Sequence, residues 1–482
     1  MIPRCTIIVI LLFLTPFLPT AYSLSITGSD WIVHYNLPDQ STTFGTETPD
    51  EYAIRDALLA RINALQTNQS ATLSTYTFSG NSTGSGAAGP IINAMNSALN
   101  RGAKIRFIAD KGVDTAAVLG NTNSLQTLAA RTNNPLTLVQ DDSPAFTIMH
   151  NKLGLFDYGS SNRWVFITSW NFTGGASTFQ WNIGLEARND ALYAAYSNEC
   201  AELLAGRFHD DPAKSHAHDG STFSLAQSWA PGTVRFAPYP SSATGGNNAQ
   251  TEVTNVIAGA EREIYFALNK LTLSLVATSL VRAANRGVLV SGVMPSSDTD
   301  PGGDSAAIYA YLTNTTSYAT TNRVRFIPAL AKADRSALDA GESDLVHCKY
   351  MVLDPYGAKP TVIHGSANWT ASALIFTNSN DENVAFIRHR DIARIFHSNF
   401  ERITGTDTNG ANLWLDFRAA SNGVATILWS TRSNLVVELQ SASTPTGSWT
   451  LFQSAVTTSV GSVTSTNSTP ATNRFIRAIR TN

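Results

Sequence analysis

Two octets in this chain carry the same reactive residues. "HNKLGLFD" places His150, Lys152 and Asp157 at the end of a mostly apolar run, and "HCKYMVLD" repeats them as His347, Lys349 and Asp354. A His, a Lys and an Asp are costly to bury without partners, so two such runs point to a duplicated device. Downstream, "ITSWNFT" supplies Ser169 and Asn171, and "IHGSANWT" supplies Ser366 and Asn368. All five matched positions share one offset, 197 residues, as in 150 against 347 and 169 against 366. Two Lys offer positive charge, and two Ser and two Asn offer neutral hydrogen-bonding groups, all suited to phosphate oxygens. Two His can divide the roles of nucleophile and general acid. Brought face to face, the two sets would stabilise a pentacoordinate phosphorus without a metal.

Positioning requires strands. In extended chain, residues i and i+2 share a face, so each octet reads as a strand that aims its His and Lys one way. Cys348 alternates with them and reads as a small buried hydrophobe. Around these runs the chain alternates helical and extended patterns. "DEYAIRDALLARINAL", "ATLSTYTF", "PIINAMNSALNRG" and "AKIRFIAD" give the order α-β-α-β. "TEVTNVIAGAE", "REIYFAL", "LVATSLVRAANRG" and "VLVSGVM" repeat it. Both second helices end in Asn-Arg-Gly, which makes Gly102 and Gly287 left-handed C-terminal glycines. The repeats run over about 51–208 and 234–405.

The segments outside the repeats differ. Residues 1–23 read as a signal peptide, with Arg4, the apolar run "TIIVILLFL" and the small residues of "AYS". Residues 24–50 form a polar arm before the first repeat. The stretch "HDDPAKSHAHDGSTFSLAQSWAPG" crowds His209, Asp210, Asp211, His216, His218 and Asp219, and its turn formers mark a solvated linker over 209–233. After about residue 408, short alternating runs separated by Ser, Thr, Gly and Pro predict a small antiparallel β-sandwich.

The duplicated H-x-K-x(4)-D, followed in each half by G-S-x-N, resembles the signature of the phospholipase D superfamily. Both octets and "GSAN" at 365–368 match it, whereas "TSWN" at 168–171 has Thr168 in the glycine position. The resemblance covers about 51–405. It implies an α/β fold of two homologous halves related by a pseudo-two-fold axis, 24–208 and 234–407, with the C-terminal all-β module appended at 408–482. It also implies a covalent phosphohistidine on His150, with His347 as acid and Asp157 and Asp354 supporting the histidines. The superfamily's acidic residue before the next strand fits Glu382 in "NDENVAFI". Its first-half counterpart is Trp181 or, with a shift, Glu186.

The resemblance implies no cofactor, a phosphodiester substrate and no obligate protein partner. Of 482 residues, 14% are charged, the net charge is −3, and no Lys/Arg block suggests a nucleic-acid surface. Expectation therefore favours a secreted enzyme acting on a phospholipid headgroup, with contact at a membrane surface. A secreted nuclease on DNA or RNA is the alternative within the same chemistry, and a non-catalytic binding protein the alternative of another class.

Overall fold

The computed structural model describes residues 25–404 except 39–48, 80–85, 118–122, 144–146, 160, 240–247, 315–323, 327–344 and 377–378, together with the backbone of Val324–Phe326 and of strands between 413 and 480. The proposed signal peptide lies outside the described residues.

Each half is built on an eight-stranded mixed sheet, and the two sheets have the same strand order. The first runs Ser25–Thr27, Trp31–Tyr35, Ile183–Ala187, Arg163–Thr168, Leu153–Asp157, Ser70–Thr75, Lys104–Ala109, Thr137–Gln140. The second runs Ser221–Phe223, Gly232–Ala237, Glu382–Ile387, Thr361–Gly365, Lys349–Leu353, Glu263–Leu268, Leu289–Val293, Val324–Phe326. The parallel pairings are those that flank the crossover helices, as in Ser70–Thr75 beside Lys104–Ala109. Alternate strand residues bury one face: Leu73, Ile105, Phe107, Phe156 and Phe166 pack against Ile54, Leu58, Ile91 and Met95 of the helices Ala53–Asn63 and Ala88–Asn100. The second sheet repeats this with Ile264, Phe266, Met351 and Phe386 under Val253, Ile257, Val276 and Leu280.

The Asn-Arg-Gly ends do two jobs. Gly102 and Gly287 take φ of 88° and 99°, which a side chain resists. The main chain closes as a Schellman motif, Ala103 N–H to Ala98 O and Gly102 N–H to Leu99 O, and likewise Val288 to Ala283 and Gly287 to Ala284. The arginines reach the last carbonyls of the neighbouring helix, Arg101 to Leu65 and Asn63 and Arg286 to Ile257 and Ala258.

Two segments differ from expectation. The polar arm supplies the edge hairpin Ser25–Thr27/Trp31–Tyr35 of the first sheet. Residues 209–233, read as a solvated linker, supply the matching hairpin of the second sheet, completed by Gly232–Ala237. His209, Lys214 and His218 within that segment are buried. Short polar edge strands carry little periodic signal, and burial of these charges depends on partners far away in sequence. Beyond the α/β unit, Leu413–Ala420, Gly423–Ser430 and Gly461–Asn467 form one three-stranded antiparallel sheet. Val436–Ala442, Thr450–Thr457 and Phe475–Arg480 form another.

Candidate active site

Regular strand begins at Leu153 and Lys349, so His150, Lys152 and His347 stand just before the strands rather than on them. There each histidine is held by the opposite half. His150 N–H donates to Asp381 O at 2.9 Å, and His347 N–H donates to Trp181 O at 3.0 Å. The central strands Arg163–Thr168 and Thr361–Gly365 also meet, with His364 Nε2 3.3 Å from Ile167 O. The site is thus composed across the two halves of one unit.

The imidazole partners are crossed too, and they are unequal. His150 Nδ1 lies 2.7 Å from Glu382 Oε1. His347 Nδ1 lies 3.1 Å from Asn182 Oδ1. Ser366 Oγ donates to Glu382 Oε2 at 2.6 Å and accepts from Asn383 N–H at 3.0 Å. Ser169 Oγ does the same with Asn182 Oδ1 at 2.9 Å and Ile183 N–H at 3.2 Å. The serines expected to bind phosphate therefore brace the histidine partners instead. The first-half counterpart of Glu382 is Asn182, not Trp181 or Glu186. Glu186 lies on the strand beyond, where it binds His34 Nε2 at 2.9 Å and Arg61 Nε at 2.6 Å. Ser366 and Glu382 are separated by three more residues than Ser169 and Asn182, which breaks the constant offset.

The lysines are buried against their histidines. Lys152 Nζ donates to His150 O at 2.9 Å. Lys349 Nζ donates to His347 O at 2.9 Å and lies 3.2 Å from His347 Nε2. Burial, then the two lysine charges, pushes both imidazoles well below their ordinary value. Burial also lowers Lys152 well below the usual ammonium range, against the pull of Glu382, and brings Lys349 down to about 7. The Glu382 carboxyl is pushed up to about 7 by burial, opposed by Lys152 and the Ser366 hydrogen bond. Lys152, Lys349 and Glu382 influence one another electrostatically in a buried site, and a diester anion would favour the charged form of both lysines.

Asn171 and Asn368 each follow a central strand by three residues, Arg163–Thr168 and Thr361–Gly365. Among the described residues the buried Asn171 Oδ1 has no hydrogen-bond partner, and half a turn of the amide would present its NH2 to an anion. Asn368 Oδ1 accepts from Asn269 Nδ2 at 3.4 Å. Tyr76 meets His150 edge-on with ring centroids 4.9 Å apart, and Lys152 Nζ stands 5.2 Å above the Tyr76 ring. Tyr76 and Asn269 directly follow the equivalent strands Ser70–Thr75 and Glu263–Leu268. Neither has a motif, so only their positions in the repeat could have singled them out.

Asp157 and Asp354, expected to support the histidines, do not touch them. Each closes the far end of its strand. Asp354 accepts N–H groups of Glu261, Arg262 and Glu263 at 2.8, 2.8 and 2.9 Å. Asp157 accepts from Gly159 N–H at 2.9 Å and Arg163 Nε at 3.1 Å. Four residues of strand separate the ends by about 13 Å. Thr168 fits where the signature has glycine because Gly184 stands opposite it. At Gly365 the opposite residue is Val384, and a Cβ there would lie 2.1 Å from Asn383 O. Cys348 is buried beside Trp181 O, with its thiol raised by burial. Among the described residues, no group of three or more His, Cys, Asp or Glu is arranged to hold a metal ion.

Residues 58–204 and 253–404 match the family model described as "Cardiolipin synthase, PLD-like domain". The chain therefore belongs to the phospholipase D-like superfamily, as a duplicated member. Members of that superfamily are phosphodiesterases or phosphotransferases. Similar solved structures include a polyphosphate kinase from Porphyromonas gingivalis, at 16% identity and TM-score 0.44, covering 72% of this chain and 48% of that one. This chain thus spans about half the kinase's length. The yeast tyrosyl-DNA phosphodiesterase is 13% identical, with TM-score 0.42 and coverages of 75% and 89%. The phospholipase D family member Nuc from Salmonella typhimurium is 21% identical, with TM-score 0.26 and coverages of 36% and 92%. No curated protein matches.

Proposed function

We propose that this chain is a secreted phosphodiesterase of phospholipase D type, hydrolysing or transferring a phospholipid headgroup phosphodiester at a membrane surface, with no metal or other cofactor. The unequal pairing of the histidines is the observation that carries the mechanism. Each Nδ1 is engaged, which leaves Nε2 as the reacting nitrogen. A carboxylate on Nδ1 makes His150 the better nucleophile and stabilises the cation formed when its Nε2 bonds phosphorus. A neutral amide on His347 gives no such pull, so its proton is more readily given up to a leaving oxygen.

In the first step, His150 Nε2 attacks phosphorus, the bond to the leaving alcohol breaks, and His347 protonates that oxygen. In the second, water attacks phosphorus, passes a proton to His347, and the P–N bond breaks. The substrate anion draws Lys152 and Lys349 to its oxygens, and moving Lys349 off His347 Nε2 frees that nitrogen to carry the proton. Asn171 and Asn368 orient the remaining oxygens.

The net charge of −3 and the lack of a Lys/Arg block support the lipid reading over a nucleic-acid one. The test is to incubate the purified protein with vesicles of several phospholipid headgroups, and separately with single- and double-stranded DNA and RNA, in EDTA. Headgroup release that continues in EDTA is expected. Added primary alcohol should divert product to the transferred diester. Cleavage of nucleic acid alone would reassign the substrate, and loss of turnover in EDTA restored by one divalent ion would reject the mechanism.

A further inference from the structure

The buried charges of the crossover segment lie directly behind His150. The main chain of Asp381 forms the bridge that holds the histidine, accepting His150 N–H at 2.9 Å and donating to Ile148 O at 3.1 Å. The next residue is Glu382. The Asp381 carboxylate takes Lys214 Nζ at 2.6 Å and His209 N–H at 3.1 Å on Oδ1, and its Oδ2 lies 3.0 Å from His209 Nδ1. His209 Nε2 reaches Asp141 Oδ2 at 2.9 Å, just past the strand Thr137–Gln140. Lys214 also binds Glu199 Oε1 at 2.8 Å, and Glu199 Oε2 lies 2.8 Å from His218 Nε2. All six residues are buried.

We infer that His209, Lys214 and Asp381 form a positioning clamp that fixes Glu382 against the His150 ring. The inference rests on the reading of His150 and Glu382 given above. Asp141 and Glu199 belong to the first half, His209 and Lys214 to the crossover, and Asp381 to the second half. The clamp is therefore the place where the crossover sets one half relative to the other. A buried ionic chain contributes little net stability compared with apolar packing, but it admits few alternative geometries. Against its burial, the Asp141 and Asp381 carboxylates hold His209 in the protonated form, with Nε2 donating to Asp141 and Nδ1 in ion-pair contact with Asp381. A displacement of Asp381 by an ångström would carry Glu382 with it, and such a misplacement costs on the order of 100-fold in rate. The equivalent position behind His347 is Trp181, which carries no charge.

The test uses the full chain with Asp381→Asn, Lys214→Met, Lys214→Arg and, as a reference for the site itself, His150→Ala. Folding is followed by cooperative unfolding, and kcat, KM and the pH profile of kcat are measured. Asp381→Asn and Lys214→Met should fold, lose roughly 10- to 100-fold in kcat with KM within about threefold, and move the acid limb of the profile. Lys214→Arg, which keeps the charge, should restore kcat to within about threefold of wild type. Folded neutral variants with wild-type kcat would overturn the clamp. So would equal losses in Lys214→Met and Lys214→Arg with an unmoved pH profile, or failure of all the clamp variants to fold, since either makes the network an element of stability alone. Wild-type activity in His150→Ala would instead overturn the reading of the site, whatever the clamp variants do.

Discussion

The two sides of the active site use one backbone arrangement and opposite chemistry. Behind His150, the partner is a carboxylate and its segment is fixed by ions, Asp381 between His209 and Lys214. Behind His347, the partner is an amide and its segment is fixed by another amide. Asn36 accepts the Asn182 N–H at 2.8 Å and donates to Ser177 O and Gln180 O, both at 2.7 Å. Duplication alone would make the sides equivalent. The difference in charge is what can separate a nucleophile from an acid inside a symmetric frame, because two buried imidazoles in the same field would titrate alike.

The strongest way to break the comparison is to remove either ring. His150→Ala and His347→Ala should each lower kcat by about 1000-fold or more, and the double variant should be little worse, because the two act as a unit. Burst experiments separate them. With a substrate whose leaving group needs no proton, His347→Ala should still form the covalent phosphohistidine and His150→Ala should not. Trapping of phosphate on His347 would invert the roles.

Equalising the partners is the next step down. Glu382→Gln places amides behind both histidines and should cost roughly 10- to 100-fold in kcat, since the carboxylate no longer supports the phospho-imidazolium. Asn182→Asp places carboxylates behind both. It should cost less, under about tenfold, and its signature is in the pH profile. A carboxylate beside His347 favours the protonated ring, so the limb belonging to His347 should move to higher pH. An unmoved limb, with chemistry rate-limiting, would mean that His347 is not the acid.

The charged side should also leave a mark on stability. His209 is raised to about 9 in the folded protein by Asp141 and Asp381, which outweigh its burial. A group raised above its unfolded value near 6.5 contributes fully below that value, and its contribution disappears as pH rises through the folded value. Wild type should therefore exceed His209→Gln in unfolding free energy by on the order of 1–2 kcal/mol at pH 6, and the gap should close by about pH 9.5. Denaturant titrations across that range would show it, and a gap independent of pH would mean His209 is not held as a cation.

Much of this was legible because duplication leaves a constant offset. Pairs such as Lys152 and Lys349, or the glycines after Asn-Arg, identify one another. Their strands and helices are long enough for alternation and capping to show. Asn182 was hidden for a simple reason: extra residues precede Glu382, so the offset that finds Ser169 from Ser366 selects the wrong neighbour. The crossover was hidden because turn formers and charges look solvated until Asp381, Asp141 and Glu199 arrive from distant parts of the chain. The serines show a further limit. Spacing puts Ser169 and Ser366 near the phosphate position, but only hydrogen-bond geometry reveals that their hydroxyls are already engaged.

The aspartates that close the octets offer the finest comparison, since the motif treats them as equals. Asp354 is buried at a φ of 47° and satisfies three backbone N–H groups at the start of the strand Glu263–Leu268. Replacing it by Ala leaves those donors without an acceptor in a place water reaches poorly. Unmade buried hydrogen bonds cost about 1–3 kcal/mol, so Asp354→Ala should lower stability by that order or more. Asp157 is partly exposed, and its Arg163 partner is more exposed still. Surface ion pairs contribute about 0–1 kcal/mol, so Asp157→Ala should change stability by less than 1 kcal/mol. Because neither carboxylate reaches a histidine, kcat per folded molecule should stay within about twofold of wild type in both variants. A large loss of kcat in folded Asp157→Ala would restore the catalytic role that the motif suggests and would require the strand to transmit it over its whole length.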